Sequence, residues 1–170
     1  MDKPRKKIET KEIKDWRVAS KTKPIKAKPL ISVLVDKKVT NQFLLSTIEG
    51  KEVLGDGSLI CIGEAGDAWQ QMPNKLLAKY TVTAIDGEGW MVCEPRPDNA
   101  VDVIEVTPAL CGSDVDFYII GQWGATIGDE KNVQTGVVGD FICRNRTDND
   151  NDDVWIVHRK LFLNTYNIKS

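Results

Sequence analysis

The residues best equipped to bind something are aromatic and charged, and they come in two sets. The first is Asp67, Trp69 and Tyr80. The second is Asp140, Arg144, Arg146, Trp155, His158, Arg159 and Tyr166. Arginines engage a phosphate or carboxylate through a planar fork of N–H donors, and an indole or phenol ring beside them offers a stacking face. The reading of Phe141–Cys143 and Val154–Val157 as a hairpin puts Arg144 and His158 at neighbouring strand ends, near the Asp140 turn. The expected ligand of this second set is a small anion.

Catalytic signatures are missing from the same residues. His158 is the only histidine, it sits beside Arg159 and Lys160, and no serine lies in a G-x-S-x-G elbow. No catalytic residue is therefore assigned; the residues lean against an enzyme and leave the question open. Cys61, Cys93, Cys111 and Cys143 are far apart and form no C-x-x-C pair, which argues for four reduced, buried thiols and against a metal site. The acidic loop with Asp148, Asp150, Asp152 and Asp153 lacks the central glycine and distal glutamate of a calcium loop. No cofactor is expected.

The elements that must hold these residues are mostly strands. Ile31–Val35, Phe43–Ile48, Ser58–Ile62, Val115–Ile120, Phe141–Cys143 and Val154–Val157 are β-branched or aromatic runs. Thr81–Ile85 and Trp90–Cys93 flank Asp86-Gly-Glu-Gly89 as a hairpin. Val101–Val106 alternates with period two. Residues 73–80, with proline at the first turn, and residues 158–166 are expected to be short helices.

Two internal matches organise the chain. Gly55-Asp56, Gly63 and Gly66-Asp67 recur as Gly128-Asp129, Gly136 and Gly139-Asp140 at a constant shift. Trp69 is followed by Tyr80, and Trp155 by Tyr166, at equal spacing, so that Leu76-Leu77 falls on Phe162-Leu163. The expected fold is α+β and mainly β. It has two related β-rich modules, each with a short helix, packed as one compact unit. Residues 29–95 form the first module, 96–114 a connection and 115–170 the second module.

Charge separates the remainder. Residues 1–30 carry eleven Lys and Arg against four Asp and Glu; the whole chain is at −2, so the body is strongly acidic. Residues 1–28 are expected to be a flexible basic arm, able to contact nucleic acid, an acidic protein or the body itself. No apolar run is long enough to span a membrane, and no signal-peptide core follows the N-terminus. A cytoplasmic protein is expected, with assembly into homo-oligomers left open.

The strings Thr47-Ile-Glu-Gly50, Gly55-Asp56, Gly63-Glu-Ala-Gly-Asp67-Ala-Trp69 and Leu77-Ala-Lys-Tyr80 resemble the bacterial and phage-associated PGDYG-type domains. Gly139–Cys143 with Phe162–Tyr166 resembles that signature a second time, although neither copy has proline before its G-D. The resemblance implies a tandem of such domains in a phage or mobile-element protein, and it implies no catalytic residues. Three functions follow as alternatives. The first is a non-catalytic binding or protein-interaction module. The second is a small enzyme or binding protein for a nucleotide or other phosphorylated ligand. The third is a nucleic-acid accessory protein using the arm.

Overall fold

The computed structural model describes residues 4–30, 44–47, 50–53, 57–146 and 153–169. The expected strand at 31–35, the Gly55-Asp56 turn and the acidic residues 148, 150 and 152 lie outside them. Fifteen strands and three helices follow one another in this part of the chain. They are β1 (Arg5–Lys7), β2 (Arg17–Lys21), β3 (Ile25–Pro29), β4 (Leu44–Thr47), β5 (Gly50–Val53), β6 (Leu59–Ile62), β7 (Ala68–Gln71), α1 (Pro73–Lys79), β8 (Tyr80–Ile85), β9 (Met91–Pro95), β10 (Val101–Glu105), α2 (Pro108–Cys111), β11 (Asp116–Ile127), β12 (Glu130–Gly136), β13 (Phe141–Asn145), β14 (Val154–Val157), α3 (Arg159–Thr165) and β15 (Tyr166–Ile168). The protein is mainly β. No helix among the described residues is long and apolar enough to cross a membrane.

Two five-stranded antiparallel sheets dominate, in the orders β7-β6-β3-β9-β8 and β14-β13-β10-β2-β15. Position by position the orders match. Each has a central strand, then a hairpin on one side, and a helix leading into the opposite edge strand. The registers agree in detail. Cys61 on β6 faces Trp69 on β7, and Cys143 on β13 faces Trp155 on β14. After each helix the chain returns to the same bond: Arg96 N donates to Lys79 O, and Thr22 N donates to Thr165 O, both at 2.8 Å. Tyr80 pairs with Pro95 as Tyr166 pairs with Lys21.

The second sheet takes its fourth strand, β2, from the N-terminal segment. Residues 1–28 are therefore not a loose tail over residues 4–28: β2 hydrogen-bonds β10 on one side and β15 on the other, and β3 is the central strand of the first sheet. Charge counting misjudged this segment because strand residues alternate between faces. Ile25 and Ala27 are buried while Lys26 is exposed, and Ala19 is fully buried between two neighbouring strands. Nor are residues 96–114 a mere connection, since β10 is the centre of the second sheet.

The glycine-aspartate turns are not equivalent in the fold. Gly66-Asp67 lies in the β6–β7 turn, where Gly66 N donates to Gly63 O; Gly139-Asp140 leads into β13. Both glycines have positive φ, +79° and +100°, so one local turn chemistry recurs at two different places. The residue that matches Asp140 is Ser58: Val106 N donates to Asp140 O and Leu30 N to Ser58 O, each at 2.9 Å. Asp140 accepts from Arg159 N, the first residue of α3, at 3.1 Å. Proline occupies that helix position in α1 and has no N–H, and the buried Ser58 hydroxyl has no hydrogen-bond partner among the described residues.

Three apolar clusters hold the sheets. One joins Ile25, Ala27, Leu59, Cys61, Leu76, Tyr80 and Cys93 beneath α1. Another joins Ala19, Val101, Val103, Phe141, Cys143, Val157 and Phe162 beneath α3, where Phe162 stacks between Phe141 at 3.8 Å and Tyr166 at 4.7 Å. The third, with Ile8, Phe117, Ile119 and Ile142, seats the long hairpin β11–β12 and the parallel strand β1.

Candidate functional site

Trp69 and Trp155 sit on β7 and β14, the outermost strands of the two sheets, and Tyr80 and Tyr166 open the strands that follow the helices. These four rings line one cleft of about 140 Å³ shared by both sheets. The equal Trp-to-Tyr spacing thus marks two matched walls of a single site.

Four lysines line the cleft, Lys21, Lys23, Lys75 and Lys79, and two of them hold their ammonium groups over tryptophan rings. Lys21, at the end of β2, holds its Nζ 4.4 Å from the Trp69 ring centre, 5.9 Å from Tyr80 and 5.6 Å from Tyr166. Lys79, at the end of α1, holds its Nζ 4.5 Å from the Trp155 ring centre and is only 8% exposed. Among the described residues neither ammonium has a hydrogen bond or an ion pair. Both lysines depart from the match between sheets. The position of Lys79 is Thr165 in the second half, whose hydroxyl donates to Leu161 O at 2.7 Å, and the position of Lys21 is Pro95 in the first. The fold itself does not require a lysine at either place.

Burial dominates the electrostatics. It lowers the pKa of Lys79 to about 8; Asp153 and Cys143 push it back up, while Lys21 and Lys75 add to the fall. The pKa of Lys21 is lowered by burial against the opposing pull of Asp67, Cys61 and Cys143. Burial raises the pKa of the Tyr80 and Tyr166 hydroxyls and holds both protonated, against the smaller opposing pull of Asn99 on Tyr80 and of Trp155 on Tyr166. The Cys61 thiol is pushed up to about 12, which makes it inert packing.

Neutral and paired groups complete the walls. Lys75 Nζ bonds Asp153 at 2.8 Å and ties α1 to the entry of β14; Asn145 Nδ2 bonds the same carboxylate at 2.9 Å. Gln134, 4% exposed, accepts from Ile156 N at 3.0 Å and donates to Trp123 O at 2.8 Å. Asn99 Nδ2 holds Lys79 O at 3.0 Å and so fixes the backbone beneath the Lys79 side chain. Asp67 folds back over Gly63, where a β-carbon would stand 2.4 Å from Oδ1, and that oxygen is buried without a hydrogen-bond partner among the described residues.

Asp67, Trp69, Tyr80, Trp155 and Tyr166 line the cleft; Asp140, Arg144, Arg146, His158 and Arg159 do not. Arg144 and His158 are not neighbours, because Arg144 faces Val154 while His158 follows Val157, which faces Phe141 at the other end of the hairpin. Arg144 instead grips Asp102 at 2.7 Å and stacks on Trp16 at 4.4 Å, and Arg146 approaches the same carboxylate at 3.2 Å. Arg159 bonds Glu105 and, at 3.3 Å, Gly139 O. Asp140 is spent on the amides of Val137 and Arg159. In the sequence Lys79 beside Tyr80 offers a contact for acidic groups, whereas Lys21, Lys75, Asn99, Gln134 and Asp153 were missed as cleft residues. The one available signal was Lys79 beside the repeated tyrosine.

Among the described residues no three His, Cys, Asp or Glu side chains gather to hold a metal ion. Comparison of the chain with protein-family models, with curated proteins and with solved structures finds no match.

Proposed function

We propose that this chain is a binding protein for a small anion, received in the cleft between the two sheets. The observation that carries this reading is the pair of lysines, Lys21 and Lys79, directed onto tryptophan faces with no ion pair to either among the described residues. Removing a charge from water costs several kcal/mol even after relaxation, whereas a desolvated cation–π contact returns about 2 kcal/mol. The difference favours an external anion that contacts both ammonium groups. Asp67 Oδ1, without a hydrogen-bond partner among the described residues, adds an acceptor for a donor group on the same ligand.

Size narrows the class. A cavity of about 150 Å³ takes one benzene ring, so a space of about 140 Å³ suits a single ring or a short chain bearing one acidic group. A nucleotide would place its phosphate or its base inside and leave the remainder at the mouth. The nucleic-acid reading has less support, because the basic segment it relied on is built into the sheets and part of its charge is paired: Lys26 with Asp86 at 2.8 Å, Lys7 with Glu9 at 3.3 Å.

Thermal unfolding with inorganic phosphate, benzoate, pyruvate, succinate and a nucleoside monophosphate tests the proposal. At a hundredfold excess over its Kd, a ligand stabilises the folded state by about 2.7 kcal/mol, which raises the Tm of a chain this size by roughly 5–10 °C. At least one of these anions is expected to do so for the wild type and to lose the effect in Lys21→Met/Lys79→Met. Equal shifts in the two proteins would refute the assignment.

A further inference from the structure

We propose that the Lys79 amine is a nucleophile that captures a small 2-oxo acid as an imine, with Lys21 holding the carboxylate. This rests on the cleft reading above and names both the ligand class and what the cleft does to it. Three observations support it. Lys79 ends in a cleft of ligand size rather than in solvent, and among the described residues it has no ion pair. A second cation, Lys21, lines the same cleft. The matching helix end in the other half of the fold is made with Thr165, so the amine is not a requirement of the helix.

A lysine becomes nucleophilic when its amine loses its proton near neutral pH, and the two established means are an apolar enclosure and a neighbouring cation. Lys79 has both, in the Trp155 ring and in Lys21. The groups that act on the amine are Asp153 at the entry of β14, Cys143 on β13, Lys75 on α1 and Lys21 on β2. Asp153 is already bonded to Lys75 and Asn145, which limits its hold on Lys79. The same two-lysine arrangement suits a ligand with a carbonyl beside a carboxylate, and Lys21 would steer the carbonyl carbon towards Lys79.

The step balances without a further reactant. The lone pair of the neutral amine attacks the carbonyl carbon, and the π pair of the C=O bond moves to oxygen. The resulting carbinolamine loses that oxygen as water together with the two amine protons. What remains is a C=N bond between the former carbonyl carbon and Lys79 Nζ. Neither carbon nor nitrogen changes its net electron count through any external oxidant, and addition of water reverses the reaction.

The full chain is incubated with pyruvate, reduced with sodium borohydride, and mapped by peptide mass spectrometry. The expected result is an adduct on Lys79 at least tenfold more abundant than on exposed lysines such as Lys131 or Lys160. Its rate of formation should rise with pH through about 8, the pKa of the amine. Lys79→Arg should abolish the adduct, and Lys21→Met should reduce it about tenfold while the protein remains folded by circular dichroism. An adduct spread evenly over the exposed lysines would overturn the proposal. Pyruvate that raises Tm through Lys21 and Lys79 without trapping on Lys79 would overturn the imine and leave the cleft reading standing. Absence of trapping together with no Tm shift from any anion of the panel would remove both.

Discussion

Deletion of residues 1–22 is expected to abolish cooperative unfolding of the whole chain. The segment supplies β1, β2, Ile8 and Ala19, and β2 is an interior strand of its sheet. Without it β15 loses its only partner strand among the described residues and β10 acquires an open edge. The backbone groups of two strands would need new partners, and the Ile8 and Ala19 sites in two core clusters would be emptied. Domains are stable by only about 5–15 kcal/mol, and a loss of this extent removes most of that. Urea titration followed by tryptophan fluorescence and far-UV circular dichroism gives the answer. A truncated chain with an unchanged midpoint and slope would show that the segment contributes nothing to the fold.

Lys79→Met is expected to stabilise the free protein by about 2–3 kcal/mol at pH 7, and to raise its Tm by roughly 5–10 °C. Methionine keeps an unbranched apolar stem against Trp155 and removes an ammonium that burial disfavours. The pH dependence has a definite sign. The folded pKa of about 8 lies below the unfolded lysine value of about 10.4, so the unfolded chain holds the proton more tightly. The penalty is therefore complete below pH 8 and disappears as pH rises towards 10.4. The advantage of the variant should shrink over the same interval. Urea unfolding of both proteins at pH 7 and pH 10 measures the difference. A variant less stable than wild type at pH 7 would mean that Lys79 serves the fold. A gain in stability combined with a loss of binding is what a residue retained for function shows.

Local chemistry was legible in the sequence and long-range placement was not. The Asp86–Gly89 turn illustrates the first: Asp86 Oδ1 accepts from Glu88 N at 2.9 Å and Trp90 N at 3.0 Å, closing the hairpin that its residue types suggested. Pro73 at the first turn marked α1, and the Trp-to-Tyr spacing marked matching positions in the two sheets, but not that these positions share one cleft. The glycine-aspartate matches misled because a turn needs only positive φ and a polar side chain, whatever strands it connects. The N-terminal segment misled for another reason. Its lysines alternate with small apolar residues, and Ala19 and Ala27 are inconspicuous in composition yet suited to interior strands. Its partners, β10 and β15, lie at the other end of the sequence. The enclosure of the cleft lysines went unseen on the same account. A lysine is ordinarily a surface residue, and only the meeting of β2, α1, β7 and β14 encloses these two.

The central claim is that Lys21 and Lys79 together receive an anion, and calorimetric titration of the tightest-binding anion of the panel tests it most directly. Hydrogen bonds to charged groups contribute about 1.5–3 kcal/mol each, so Lys21→Met and Lys79→Met should each weaken binding roughly 10- to 150-fold. Arg144→Ala, which removes a cation engaged with Asp102 and Trp16 outside the cleft, should leave the affinity within about twofold. The reverse pattern, with binding lost in Arg144→Ala and kept in both lysine variants, would contradict the account.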